Sequence, residues 1–179
     1  YNVLDFTRYV DILASQGNAE PIEIDVAEIN GEPLPCLQAH VHGSDYSSFL
    51  VVLPARFLAD IYGLYGPRLL EQNVRVFLQA RTKVNRGIID TVREAPKMFF
   101  AYNNGLTATA SEVEIEELPG GGLGISSAKN LQIVNGGQTT ASILYAKDQY
   151  KSDLTDVFVQ MKLSVIKPEL VDEIVPKIS

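Results

Sequence analysis

The segment that most constrains this chain is Leu131-Gln132-Ile133-Val134-Asn135-Gly136-Gly137-Gln138-Thr139-Thr140-Ala141-Ser142. A short apolar run meets two glycines, and a stretch with helical character follows to about Tyr150. The order reads strand, tight turn, helix N-terminus. Glycine reaches backbone conformations closed to other residues and admits close approach. The amides of the first helical turn have no intrahelical partner and carry the positive end of the helix dipole. Asn135, Gly136, Gly137 and Gln138 are therefore candidates for holding an anion, with Thr139 and Thr140 adding hydroxyl donors. The same residues also fit a plain helix cap with Gln138 packed on a sheet. A Walker A loop is excluded, because its Lys is missing and the spacing differs, and the dinucleotide fingerprint does not match either.

Around this segment the pattern alternates between strand and helix signals. Residues 3–14 have near-helical apolar spacing, ended by Ser15-Gln16-Gly17-Asn18. Ile22 to Ile29 alternates apolar and acidic residues and predicts a strand with one wet face. Asn30-Gly31 marks a turn, and Leu37–Val41 and Phe49–Leu53 predict two more strands. Together these give a small acidic antiparallel meander. Pro54 opens a helix to about Tyr65. Val74–Leu78 has strand character, and Asn85–Ala95 is helical with Ile88, Ile89 and Val92 on one face, stopped at Pro96. Met98–Tyr102 leads into Asn103-Asn104-Gly105. Leu106–Leu118 predicts a strand, Pro119–Gly122 a hairpin turn, and Leu131–Val134 the returning strand. Val157–Ile166 is a last strand, and Pro168 before Glu169 opens a helix. The class is α+β, with an N-terminal helix and meander over 1–66 and a mixed-sheet core with helices over 67–179.

Asn103-Asn104-Gly105 is the second candidate constellation. Asn-Gly is first a turn signal. Two side-chain amides beside it can hold a loop or read a base edge.

Charge is unevenly placed. Residues 1–60 hold nine acids and two bases, residues 61–97 seven bases and three acids, and residues 98–179 six bases and ten acids. The total of −7 therefore hides a basic island of +4, containing Arg75, Arg81 and Arg86. The total argues only against indiscriminate coating of nucleic acid. The island fits either a solvated face with helix pairs such as Asp90 and Arg93, or an anion site.

Other candidates are thinner. His40 and His42 point to one face of a strand, and Asp45 follows, but no further ligand has metal-site spacing. No metal is expected. Cys36 is the chain's one cysteine, has no evident base partner, and excludes an internal disulfide. Asp156, Gln160 and Lys162 trace an acid-then-Gln-x-Lys pattern that alternating strands readily produce by chance. No apolar run approaches the roughly 20 residues of a spanning helix. A cytoplasmic setting and no membrane partner are expected.

Asn73-Val74-Arg75, Phe77-Leu78, Val84-Asn85 and Ile88, then Thr91, Pro96, Phe99 and Tyr102-Asn103-Asn104-Gly105-Leu106-Thr107, then Gln132 to Thr140, together resemble the AIPR family of bacterial abortive-infection phage-resistance proteins. The likeness runs in order from about Ile61 to Ile166. It implies a role in phage defence. In many relatives a restriction-type nuclease segment precedes this core; here it would lie before Tyr1, and the chain would be a fragment of a longer protein. The order of elements from Asn85 to Ile166 is also similar to the ParB-like nuclease and partition fold, where a Gly-Glu-Arg-Arg turn at a helix start grips nucleotide phosphates. Gly136-Gly137-Gln138-Thr139-Thr140 takes that place here without the arginines, which leaves Arg75, Arg81 or Arg86 to supply the cation.

The resulting expectation is a binding module that holds a nucleotide or nucleic-acid phosphate at the 136–140 turn, with help from the Asn103–Gly105 turn, Asn85 and the three arginines. The expected ligands and partners are a nucleotide with magnesium or a nucleic acid, further domains of the same protein, and a second copy of the chain. Two alternatives stand beside it: a nuclease or nucleotide hydrolase, and a protein-interaction module built on the acidic strands.

Overall fold

The computed structural model describes residues 21–39, 45–70 and 85–178. The expected strand at 74–78, the helix at 3–14, His40, His42, Arg75 and Arg81 lie outside the described residues.

The described chain is α+β. It begins with β1 (Glu23–Asp25), which passes directly into α1 (Val26–Asn30). Alternation predicts a strand through Ile29, but only three residues form one. The cause is local. Asp25 Oδ1 accepts the Glu28 N–H at 2.8 Å and caps a helix, while Gly31 at φ 87° closes it by donating its N–H to the Ala27 carbonyl. Then come β2 (Leu34–Ala39), β3 (Tyr46–Pro54), α2 (Ala55–Tyr65), α3 (Arg86–Glu94) and the short α4 (Phe99–Tyr102). The rest is β4 (Leu106–Ala110), β5 (Glu112–Glu117), β6 (Leu123–Lys129), β7 (Gln132–Asn135), α5 (Gly137–Tyr150), β8 (Phe158–Ile166) and α6 (Val171–Ile178).

The strands form one mixed sheet in the order β1-β6-β2-β3-β8-β4-β7, with β5 on the other side of β6. Only β4 and β8 among the named pairs run parallel. β3 and β8 pair antiparallel over nine positions, from Tyr46 opposite Ile166 to Pro54 opposite Phe158. The long strand predicted over 106–118 breaks at Ser111, whose N–H and hydroxyl both donate to the Lys129 carbonyl. β4 before the break pairs with β8, and β5 after it pairs with β6. The pairings therefore run β6, β2, β3, β8, β4 and return through β5 to β6, so the sheet curls upon itself. Of the expected meander, β2 and β3 do pair antiparallel, but β1 pairs β6 instead of β2. All three join the sheet that holds β4 to β8.

The glycine hairpin at 119–122 leads to β6, where alternation predicts no strand. Gly124, Ser126 and Ser127 mute its hydropathy signal, yet Ile125 and Ala128 are buried. β6 exists because it is paired on both edges.

Helices cover the inner face. Phe57, Leu58 and Ile61 of α2, Ile89 and Val92 of α3, and Ile143 and Ala146 of α5 meet Val51, Leu53, Val159 and Leu163 from the sheet in one buried cluster. The buried side of α5 is built from small residues, Gly137, Thr139, Thr140, Ser142 and Ala146, with Ile143 the one larger member. That lets α2 and α3 pack closely against it. Lys147 and Asp60 join α5 to α2 at 2.6 Å, and their partial exposure limits the pair to about 1 kcal/mol or less.

Candidate functional site

β4 and β7 are antiparallel neighbours, with Thr107 opposite Asn135. The start of one strand therefore lies beside the end of the other. That register brings Asn103-Asn104-Gly105, which precedes β4, next to Asn135-Gly136-Gly137, which follows β7. The two signatures, some thirty residues apart in sequence, form one place in space. The link is direct: Asn103 Nδ2 donates to Thr139 Oγ1 at 3.4 Å.

The glycines are fixed by this packing. Gly105 has φ 80°, and a Cβ there would overlap Gln160 of β8 at both its Cγ and its carbonyl oxygen. Gly136 has φ 97°, and a Cβ would overlap the Leu106 side chain and lie 3.1 Å from the Gly105 carbonyl oxygen. Both positions demand the left-handed conformation and close approach of backbone to backbone. Asn103 turns the first loop by accepting the Gly105 N–H at 2.9 Å, an Asx turn. Gln160 Nε2 pins its outer side by donating to the Asn104 carbonyl at 2.9 Å.

The helix start divides into inward and outward residues. Thr139, Thr140 and Ser142 are buried. The Thr140 hydroxyl donates to the Gly136 carbonyl at 3.3 Å, and Ser142 Oγ accepts the Asn85 N–H at 3.1 Å. Asn135 is exposed, and Gly136 and Gln138 are half-exposed. Gly136 caps α5 without a side-chain hydrogen bond.

The Asn85–Ser142 bond draws a second helix start to the same junction. Asn85 caps α3 by accepting the Gly87 N–H at 3.0 Å. A polar cavity of about 220 Å³ opens here, lined by Asn85, Gly87, Ile88, Thr91, Phe99, Tyr102 and Asn103. Pockets that enclose drug-sized ligands span roughly 300–1,000 Å³. This one has room for part of a ligand. Arg86, exposed, is the first residue of α3. A cation in the first helical turn opposes the dipole rather than complementing it. An incoming anion would be attracted by both.

Tyr102 is the residue that composition and spacing do not single out. It lines the cavity and is 67% exposed. The signal was an aromatic directly before Asn103-Asn104, legible only once that turn is known to face outward.

The rest of the basic island is partly engaged. The Arg93 guanidinium lies over the Tyr150 ring, 4.4 Å from its centre, and Lys97 pairs with Asp156 at 3.8 Å. Gln160 and Lys162 share the outer face of β8, while Asp156 precedes that strand. Burial pushes the Cys36 thiol above its ordinary pKa, which makes it a poorer nucleophile at neutral pH. Among the described residues no three His, Cys, Asp or Glu side chains gather as a metal site. No described helix is long and apolar enough to cross a membrane.

These features define an α+β domain whose two glycine turns and two helix starts meet at one polar junction. The family model described as "AIPR protein" matches residues 70–179, more than half the chain, and the chain belongs to the AIPR family. No curated protein and no solved structure matches it.

Proposed function

We propose that the chain serves phage defence of the abortive-infection kind and binds a phosphate group of a nucleotide or nucleic acid at the junction of the 103–105 and 136–140 turns. The observation that carries this reading is the convergence of the two family signatures with the start of α3: Asn85, Tyr102 and Asn103 line one small polar cavity, and the exposed Arg86, outside its lining, begins the helix. Family membership supplies the defence setting. The cavity favours the end of a ligand over a whole enclosed nucleotide, which suits a phosphate with the sugar and base outside. Tyr102, exposed beside it, gives a base a surface to stack on. The element order α3, then β7–turn–α5, then β8, similar to the ParB-like fold, supports a phosphate at the 136–140 turn.

The test is a titration of the chain with labelled CTP, ATP and a short single-stranded DNA at two salt concentrations. Binding should weaken steeply with salt. Arg86→Ala and Tyr102→Ala should each weaken it several-fold while leaving the circular dichroism unchanged, and Gln138→Ala should do the same. Absence of binding to all three ligands, or indifference to all three substitutions, refutes the reading.

A further inference from the structure

A larger cleft lies outside the junction. It opens on the outer face of β2, β3 and β8, holds about 510 Å³, and falls within the size range of small-molecule sites. Alternation along β3 explains its chemistry. Phe49, Val51 and Leu53 are buried on the inner face, so Leu50 and Val52 point outward. A sheet face turned to water ordinarily carries polar residues there. Here Leu37 is 68% exposed, Leu50 57% and Val52 42%. Leu37 stands opposite Leu50, and Phe100 of α4, 43% exposed, also lines the cleft. None of these is explained by the core.

One end of the row is polar. Lys162 stands opposite Leu50 on one side and Thr107 on the other, and Gln160 stands opposite Val52. Asn104, Thr107, Gln160 and Lys162 all line the cleft, and no acidic residue among the described ones does. Lys162 enters none of the ion pairs among the described residues. An apolar floor ending in a cation and a few amide and hydroxyl groups is complementary to one kind of occupant.

We propose that this cleft binds a small organic anion with an apolar body, its body over Leu37, Leu50, Val52 and Phe100 and its carboxylate, sulfonate or phosphate at Lys162. The site is separate from the phosphate junction, sharing with it only the 103–107 turn. Its test uses substitutions that leave Arg86, Tyr102 and Gln138 in place.

The chain is titrated with 1-anilinonaphthalene-8-sulfonate, followed by displacement with decanoate and with decanol. Saturable one-site fluorescence is expected. Lys162→Gln should weaken decanoate by at least about tenfold, the value of one charge-assisted contact, and leave decanol unchanged. Leu50→Asn should weaken both. These side chains are exposed, so the variants should keep the wild-type melting temperature. Absence of saturable binding, or equal loss of decanoate and decanol in Lys162→Gln, overturns the proposal. So does a concentration-dependent dimer that Leu50→Asn dissolves, since a second copy would then be the occupant.

Discussion

Gly105→Ala separates two explanations of the Asn-Asn-Gly signature. Gly105 sits at φ 80°, just before β4. Holding an L-residue there costs about 1–2 kcal/mol. The added methyl also overlaps Gln160 at Cγ and at the carbonyl oxygen, with the carbonyl carbon 3.2 Å away. Rotating the Gln160 side chain aside breaks its bond to the Asn104 carbonyl, worth about 0.5–1.5 kcal/mol. The carbonyl cannot rotate aside. It belongs to β8, which is held between β3 and β4, so shifting it disturbs a ladder, an overpacking cost of about 1–3 kcal/mol. The total is about 3–6 kcal/mol, a large share of the roughly 5–15 kcal/mol that holds a domain folded. Gly121→Ala is the control: φ is 87°, but nothing lies within 4 Å of its Cβ position, so only the conformational cost of about 1–2 kcal/mol applies. Urea unfolding followed by far-UV circular dichroism measures both variants against wild type, compared at a common m-value. Equal losses would refute the packing account. If Gly105→Ala kept full stability and lost only ligand binding, the glycine would be there to admit a ligand.

Other substitutions test single bonds. Ser142→Ala leaves the Asn85 N–H without its acceptor and should cost about 1–2 kcal/mol in the same unfolding assay, loosening α3 from α5. Asp25→Ala removes the cap of α1 and should cost about 1 kcal/mol. The Asp153 carboxyl accepts the Thr155 hydroxyl and N–H, which hold its pKa below the ordinary value. A lowered folded pKa means stabilisation that is present above the unfolded pKa and is lost as pH falls through the folded one. Thr155→Val should therefore move the Asp153 titration upward in an NMR pH series, and an unmoved titration would refute the assignment.

The legible parts of the fold are those where local chemistry and tertiary pairing agree. Pro54 and the apolar spacing after it predict α2, Asn85 and Pro96 bracket α3, and the glycine pair predicts β7–turn–α5. Two misreadings have opposite causes. At 22–29 the alternating hydropathy is genuine, but Asp25 three residues before Glu28 supplies a helix cap, and a single side-chain bond ends the strand. At 123–129 the local signal is weak, and pairing with β5 on one edge and with β1 and β2 on the other makes the strand. Bonds between distant segments leave no mark on a local pattern.

The site follows the same rule. Asn103–Gly105 and Asn135–Thr140 are each visible as turns, and neither contains any sign of the other. What joins them is the register of β4 on β7, with Thr107 opposite Asn135, and that register is a tertiary fact. Once it is known, the residues sort themselves by direction. Thr139 and Thr140, attractive as hydroxyl donors in the sequence, turn inward, and with Ser142 they hold the local packing together. Asn135, Gln138, Tyr102 and Arg86 keep exposed surface. The glycines that suggest room for a ligand are occupied by the protein's own backbone. A phosphate at this junction would therefore be held by side chains and helix ends at the rim, and so should be more sensitive to Arg86→Ala than to any change of the buried threonines that leaves the fold intact.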